Sequence, residues 1–139
     1  MRKYVAEFIG TFALVFCGTG AIVIDQQTGG QVGHAGIAIT FGLIVLAMIY
    51  TFGETSGAHF NPAVTIGFWF AKRFEGKQVL PYILSQVGGA LMASGILKLL
   101  FPENQNLGAT LPAGSALQSF VLEFLLTYFL MLVIVNVSQ

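Results

Sequence analysis

Charge is what this sequence has least of. Only 9% of its 139 residues are Asp, Glu, Lys or Arg, where a soluble domain carries roughly a quarter. With 55% apolar residues and a mean hydropathy of +0.80, the composition is that of a membrane protein. Six basic residues balance six acidic ones and do not gather into a broad patch, so neither nucleic acid nor an acidic surface is implied as a partner. The single cysteine, Cys17, lies in an apolar run; it has no partner for an internal disulfide and reads as a small packing residue. No nucleophile paired with a base, no metal cluster and no phosphate loop appears, so an enzyme, a metal and a cofactor are all not expected. A cleavage pattern is lacking too. The first apolar run is about 20 residues, longer than the core of a signal peptide, and Asp25-Gln26-Gln27 follows it in place of small residues.

What is present is a series of long apolar runs. The first spans about Tyr4 to Ile24, broken only by Glu7, and Gly18 and Gly20 thin it where a neighbouring backbone can approach. After a polar loop without lysine or arginine, a second runs from about His34 to Phe52, with Thr40 and Thr51 able to bond back to their own helix. Gly53 to Gly57 breaks that pattern. A third extends from about Gln78 to Phe101, with Pro81 in its first turn, Ser85, Gly89 and Ala93 as a stripe for close helix contact, and Gln86 as its most polar interior residue. Gln86 is expected to make an interhelical hydrogen bond that ties down a neighbouring loop. Loop formers fill 102–115, and a fourth run covers Ala116 to Val137.

Between the second and third runs stands Gly57-Ala58-His59-Phe60-Asn61-Pro62-Ala63-Val64-Thr65. Asn61 is a good N-cap and Pro62 occupies the position where proline is welcome, so a helix starts here and runs to about Ala71. At ~1.5 Å per residue it is roughly 15 Å long, half of the ~30 Å hydrocarbon thickness, and Lys72-Arg73 closes it. Among membrane spans, such a piece dips halfway in and stops.

With four spans and one re-entrant half-helix, Arg2, Lys3, Lys72, Arg73 and Lys77 fall on one side, and the opposite loops hold none, Lys98 only bordering one. The positive-inside rule makes that side, and both ends of the sequence, cytoplasmic; a bacterial inner (plasma) membrane is the expected location. An internal repeat is also present: Glu7-Phe8-Ile9-Gly10-Thr11-Phe12 matches Glu123-Phe124-Leu125-Leu126-Thr127-Tyr128 with Glu, Phe and Thr at one spacing. The two copies begin on opposite sides, the arrangement by which many transport proteins build a site at the bilayer midplane.

SGAHFNPAVT (56–65) and AEFIGTFALVF (6–16) together resemble the major intrinsic protein family of aquaporins and glycerol facilitators, and the resemblance extends over the whole chain. It implies an all-α membrane protein, an aquaporin-like inverted-repeat bundle cut short: four transmembrane helices plus one re-entrant half-helix. Residues 1–139 then form one incomplete domain, with the first repeat at 1–101, its NPA half-helix at about 61–71, and the opening helix of the second repeat at 116–137. The second NPA half-helix of the family, the arginine after it and two further helices have no counterpart here.

The resemblance also assigns roles. Asn61, within Asn61-Pro62-Ala63, donates its side-chain amide into the pore, backed by the partial positive end of the half-helix, which opposes cations and protons. Gly57, Ala58, His59 and Phe60 line the pore through their carbonyls, which non-helical backbone at membrane depth can leave unpaired only against protein or a wet cavity. Phe41, 20 residues before Asn61, takes the aromatic place at the narrowest constriction; the plain alternative is a packed or lipid-facing aromatic. Glu7 and Glu123, costly in a span at about 2.5–3.5 kcal/mol near its centre, each brace the re-entrant loop of their own repeat, with Gln86 as further support; a proton relay is the alternative. His59 reads as a hydrogen-bonding brace, since Glu54 and His34 stand at no recognised ligand spacing from it. His34 reads as interfacial and Trp69 as packing the end of the half-helix.

The function expected is a channel for water, and for small neutral solutes such as glycerol, seated in the lipid bilayer and tetrameric as in the family. Two alternatives stand beside it: a secondary transporter or ion channel of broken-helix type, and a non-conducting fragment that needs a partner chain.

Overall fold

The computed structural model describes residues 1–137. Those residues form five helices: α1 (Arg2–Gln27), α2 (Gly33–Ser56), α3 (Pro62–Phe70), α4 (Gly76–Leu100) and α5 (Ala116–Val137). All but α3 are long and apolar enough to cross a membrane. The chain divides into two compact units, Met1–Ala109 with α1 to α4, and a second from Thr110 onward with α5.

In the first unit α1 packs on both α2 and α4, and α3 packs on α4. Contacts between α1 and α4 advance together along both helices, so the two are parallel: Lys3 donates to Gln78 near one end, Gln86 donates to Glu7, Gly89 meets Phe8 and Phe12, and Leu97 lies beside Gly20 at the other end. Gly89 is what lets them close. A Cβ there would sit 2.3 Å from the Phe8 carbonyl oxygen and 3.0 Å from the Phe12 nitrogen, so only glycine fits; Ala93, one turn on, is fully buried. At the start of α4, Gln78 donates to Glu75 at 2.6 Å and Lys77 lies 3.2 Å from it, which together hold the Glu75 carboxyl below the usual carboxylate range.

The interior of the first unit mixes apolar side chains with several polar ones, while much of its exterior is apolar, unlike a soluble domain. Glu7, Thr65 and Gln86 are fully buried, while Leu84 and Leu91 on the same α4 are 64% and 69% exposed. This is how a bundle facing lipid distributes its side chains, with polar groups turned toward one another. Thr40 and Thr51 bond back to the Gly36 and Ala47 carbonyls.

Two element ends differ from the sequence reading. α2 does not stop near Phe52; it runs through Gly53 to Ser56, because a glycine inside a helix costs only about 1 kcal/mol. The left-handed turn that ends it comes at Gly57 (φ 82°), whose N–H bonds Gly53. α4 begins at Gly76, so Pro81 is its sixth residue and lies beyond the first turn. The missing N–H there removes the bond that Lys77 would have accepted within the helix.

Candidate pore-lining site

Asn61 sets the start of α3. Its backbone is extended (φ −152°, ψ 128°), its Oδ1 accepts from Ala63 N at 2.8 Å, and Pro62 follows at the first helical position. Nine residues later the helix closes in a Schellman turn, with Lys72 N on Trp69 O and Arg73 N on Phe68 O, and Lys72 itself left-handed at φ 57°. Trp69 lies against Gly76 at the head of α4.

The segment 57–60 before α3 has an unusual backbone. Gly57, Ala58 and Phe60 all have positive φ (82°, 52° and 49°). For Ala58 and Phe60 this costs roughly 1–2 kcal/mol each, so something must hold them. Glu7 does. Its Oε1 accepts from His59 N at 3.0 Å and its Oε2 from Phe60 N at 2.7 Å. A buried N–H left without its partner costs about 1–3 kcal/mol, so satisfying two of them here is enough to offset the strain. The Phe60 ring is buried in a space that Gly10 of α1 leaves open, since a Cβ there would lie 2.0 Å from it.

Donors and acceptors along this segment are treated unequally. Every N–H from 57 to 60 is bonded within the protein: Gly57 to Gly53 O, Ala58 to Ser56 Oγ at 3.1 Å, and His59 and Phe60 to Glu7. Among the described residues none of the four carbonyl oxygens of 57–60 accepts a hydrogen bond, and the Asn61 Nδ2 amide also has no partner. Gly57 and Asn61 are exposed and Ala58 is half-buried, whereas the His59 and Phe60 side chains turn inward. The strip therefore offers a row of acceptors followed by one side-chain donor at the positive end of a helix.

Behind the strip lies a connected polar core. Gln86 Nε2 donates to Glu7 Oε2 (2.8 Å) and to Thr65 Oγ1 (2.9 Å). Thr65 Oγ1 lies 3.1 Å from His59 Nδ1 and 3.2 Å from Asn61 O. The His59 ring sits among Phe68, Phe74 and Tyr82, with centroids 4.7, 4.7 and 5.2 Å away, and Tyr82 OH donates to Ser56 O at 2.8 Å. Of the residues singled out from the sequence, Glu7, Gln86, Gly57, Ala58, His59, Phe60, Asn61, Pro62 and Ala63 come together here. Thr65 and Tyr82 belong with them and were passed over. Thr65 stands four residues after the Asn61 cap and Tyr82 four before Gln86, the spacing of neighbours on one helix face.

Phe41 is on α2, half-buried, with its ring against Gly18 of α1. Glu123 is exposed on α5, in an apolar groove it shares with Phe120, Phe124, Thr127, Tyr128 and Met131. His34 is exposed at the start of α2. No group of His, Cys, Asp and Glu that could hold a metal occurs among the described residues.

Four spanning helices, one half-length helix and a strained loop pinned by a buried glutamate define a multi-pass membrane protein with a re-entrant segment. The family model "Major intrinsic protein" matches residues 1–139, and the chain belongs to that family. It is similar to Aquaporin NIP1-1 of Oryza sativa subsp. japonica (47% identical, 99% of this chain and 49% of the relative). It is likewise similar to Nodulin-26 of Glycine max (44%, 99% and 51%) and Aquaporin NIP1-2 of Arabidopsis thaliana (45%, 99% and 50%). The chain spans about half the length of these relatives.

Proposed function

We propose that this chain supplies the first half of the wall of a membrane channel through which water, and small neutral solutes such as glycerol, pass without chemistry. The observation that carries this reading is the inequality in the strip: the N–H groups of 57–60 are bonded inward, while the four carbonyls of 57–60 and the Asn61 side-chain amide have no partner among the described residues. Such a strip replaces hydration for a neutral hydroxyl solute. An ion channel or ion-coupled transporter is the weaker reading, because Glu7, the buried acid of the first unit, has both oxygens occupied by donors of the protein. The same occupancy argues against a proton relay.

Under this reading Phe41 narrows the lumen, Glu123 braces a second re-entrant loop, the ends of this chain are cytoplasmic and the complete channel is a homotetramer. The relatives named are plant proteins, which lends no support to a bacterial inner membrane, so the proposal is confined to a multi-pass position in a lipid bilayer. The test is stopped-flow shrinkage of proteoliposomes containing this chain co-expressed with the second half of the rice relative. Rapid water flux above the lipid background, without ion current, is expected; ion current with no water flux would overturn the proposal in favour of the ion-conducting reading.

A further inference from the structure

We infer that Gly18 of α1 is a specificity-determining position of this channel, because it is the seat on which the Phe41 ring rests and so sets how far that ring stands into the lumen. The inference rests on the proposed function, which puts Phe41 at the constriction. A Cβ built at Gly18 would lie 2.2, 2.4 and 2.6 Å from Cε1, Cζ and Cδ1 of Phe41, and these are its three nearest neighbours. The ring thus presses on bare helix backbone, with no side chain between. Gly20, two residues along, is different: its Cβ would meet only Leu97 Cδ2, at 3.4 Å, an ordinary contact. Close approach is needed at position 18 alone of the two.

A methyl group at 18 must push the ring back by more than 1 Å to reach the roughly 3.5 Å of normal carbon contact. The ring is carried on two torsions from a helix, so it has few ways to yield. Phe41 is half-buried, with α1 on one side, and under the proposed function a ring pushed away from α1 moves toward the lumen. Alanine at 18 therefore narrows the bore while touching no solute itself. A water-sized opening leaves little room for such a shift, and a wider solute loses passage first.

The test is a flux cycle in the two-half proteoliposomes, with glycerol and water permeabilities measured for the parent, Gly18→Ala, Phe41→Ala and the double variant. Gly18→Ala is expected to lower the glycerol-to-water ratio several-fold, Phe41→Ala to raise it, and the double variant to match Phe41→Ala, because no ring is left to push. A merely structural role for Gly18 would persist in the double variant and would overturn the inference. If Phe41→Ala leaves the ratio unchanged, the placement of Phe41 at the constriction fails; if Phe41→Ala acts and Gly18→Ala does not, the inference about Gly18 alone fails. Fluorine NMR of the 139-residue chain in lipid, with 4-fluorophenylalanine at position 41, decides the seat without flux. Gly18→Ala should shift that resonance and Gly95→Ala, where a Cβ meets nothing within 4 Å, should not; an unmoved signal in Gly18→Ala sinks the proposal.

Discussion

Glu7 holds three donors at once, the N–H groups of His59 and Phe60 and the Gln86 amide. Removing it by Glu7→Ala orphans the His59 and Phe60 N–H groups, at about 1–3 kcal/mol each, leaves the Gln86 amide with Thr65 as its remaining partner, and frees Ala58 and Phe60 from the hold on their backbone. A loss of roughly 2–6 kcal/mol is a large part of the stability of most domains, so little monodisperse protein is expected by fluorescence-detected size exclusion. Glu7→Gln keeps one acceptor oxygen and turns an NH2 toward a donor, so it should be destabilised by less, with a lower melting temperature but a recoverable fold. Equal behaviour of the two variants would mean that the carboxylate is not what pins the loop. Asn61→Asp acts on the proposed pore directly. It replaces the free amide donor with an acceptor and cancels a helix-end potential worth about 0.3–1 kcal/mol per unit charge, so in the channel completed by the co-expressed second half cation current in planar bilayers should rise while the protein stays folded; parent-like currents would remove Asn61 from the pore.

At the scale of elements, much was legible where chemistry is local. The Asn61-Pro62 pair marks a helix start by itself, since the cap bond reaches only to Ala63, and apolar runs bounded by polar loops mark the four spans. What escaped depends on contacts far apart in the chain. Nothing in the run around Tyr82 announces that its hydroxyl reaches Ser56, 26 residues earlier. Gly53 was misleading because a glycine looks the same in sequence whether it breaks a helix or sits inside one; only the left-handed φ at Gly57 tells them apart. The fit of α1 against α4 gives a prediction at this scale. Gly89→Ala would drive a methyl into the Phe8 carbonyl, a backbone atom that cannot swing aside, and overpacking of this kind costs about 1–3 kcal/mol or more. Gly95→Ala, on the same helix with open space around it, should be neutral or stabilising by up to about 1 kcal/mol. Melting temperatures of the two in detergent check the contrast, and equal destabilisation would show that helix propensity and not the close approach governs both.

For the whole molecule, under the proposed function, the strip at 57–61 forms one wall of the lumen. A half-length helix reaches about 14 Å, and under the proposed function a second one is needed to complete the lumen. Residues 1–139 purified alone are therefore expected to insert into vesicles without raising water permeability above the lipid background, while co-expression with the second half of a relative restores it. Fast, low-activation-energy shrinkage of vesicles holding only this chain would show that a single half-helix suffices. The unequal treatment of donors and acceptors has a further consequence for what such a wall admits. Four acceptors stand against one side-chain donor, so a solute is re-solvated chiefly through the hydrogens it carries. Two molecules of equal width are then not equal in passage: a diol can hand its hydroxyl protons from carbonyl to carbonyl, whereas an aprotic ether or ketone finds its oxygen answered only at Asn61 and travels the rest of the strip bare.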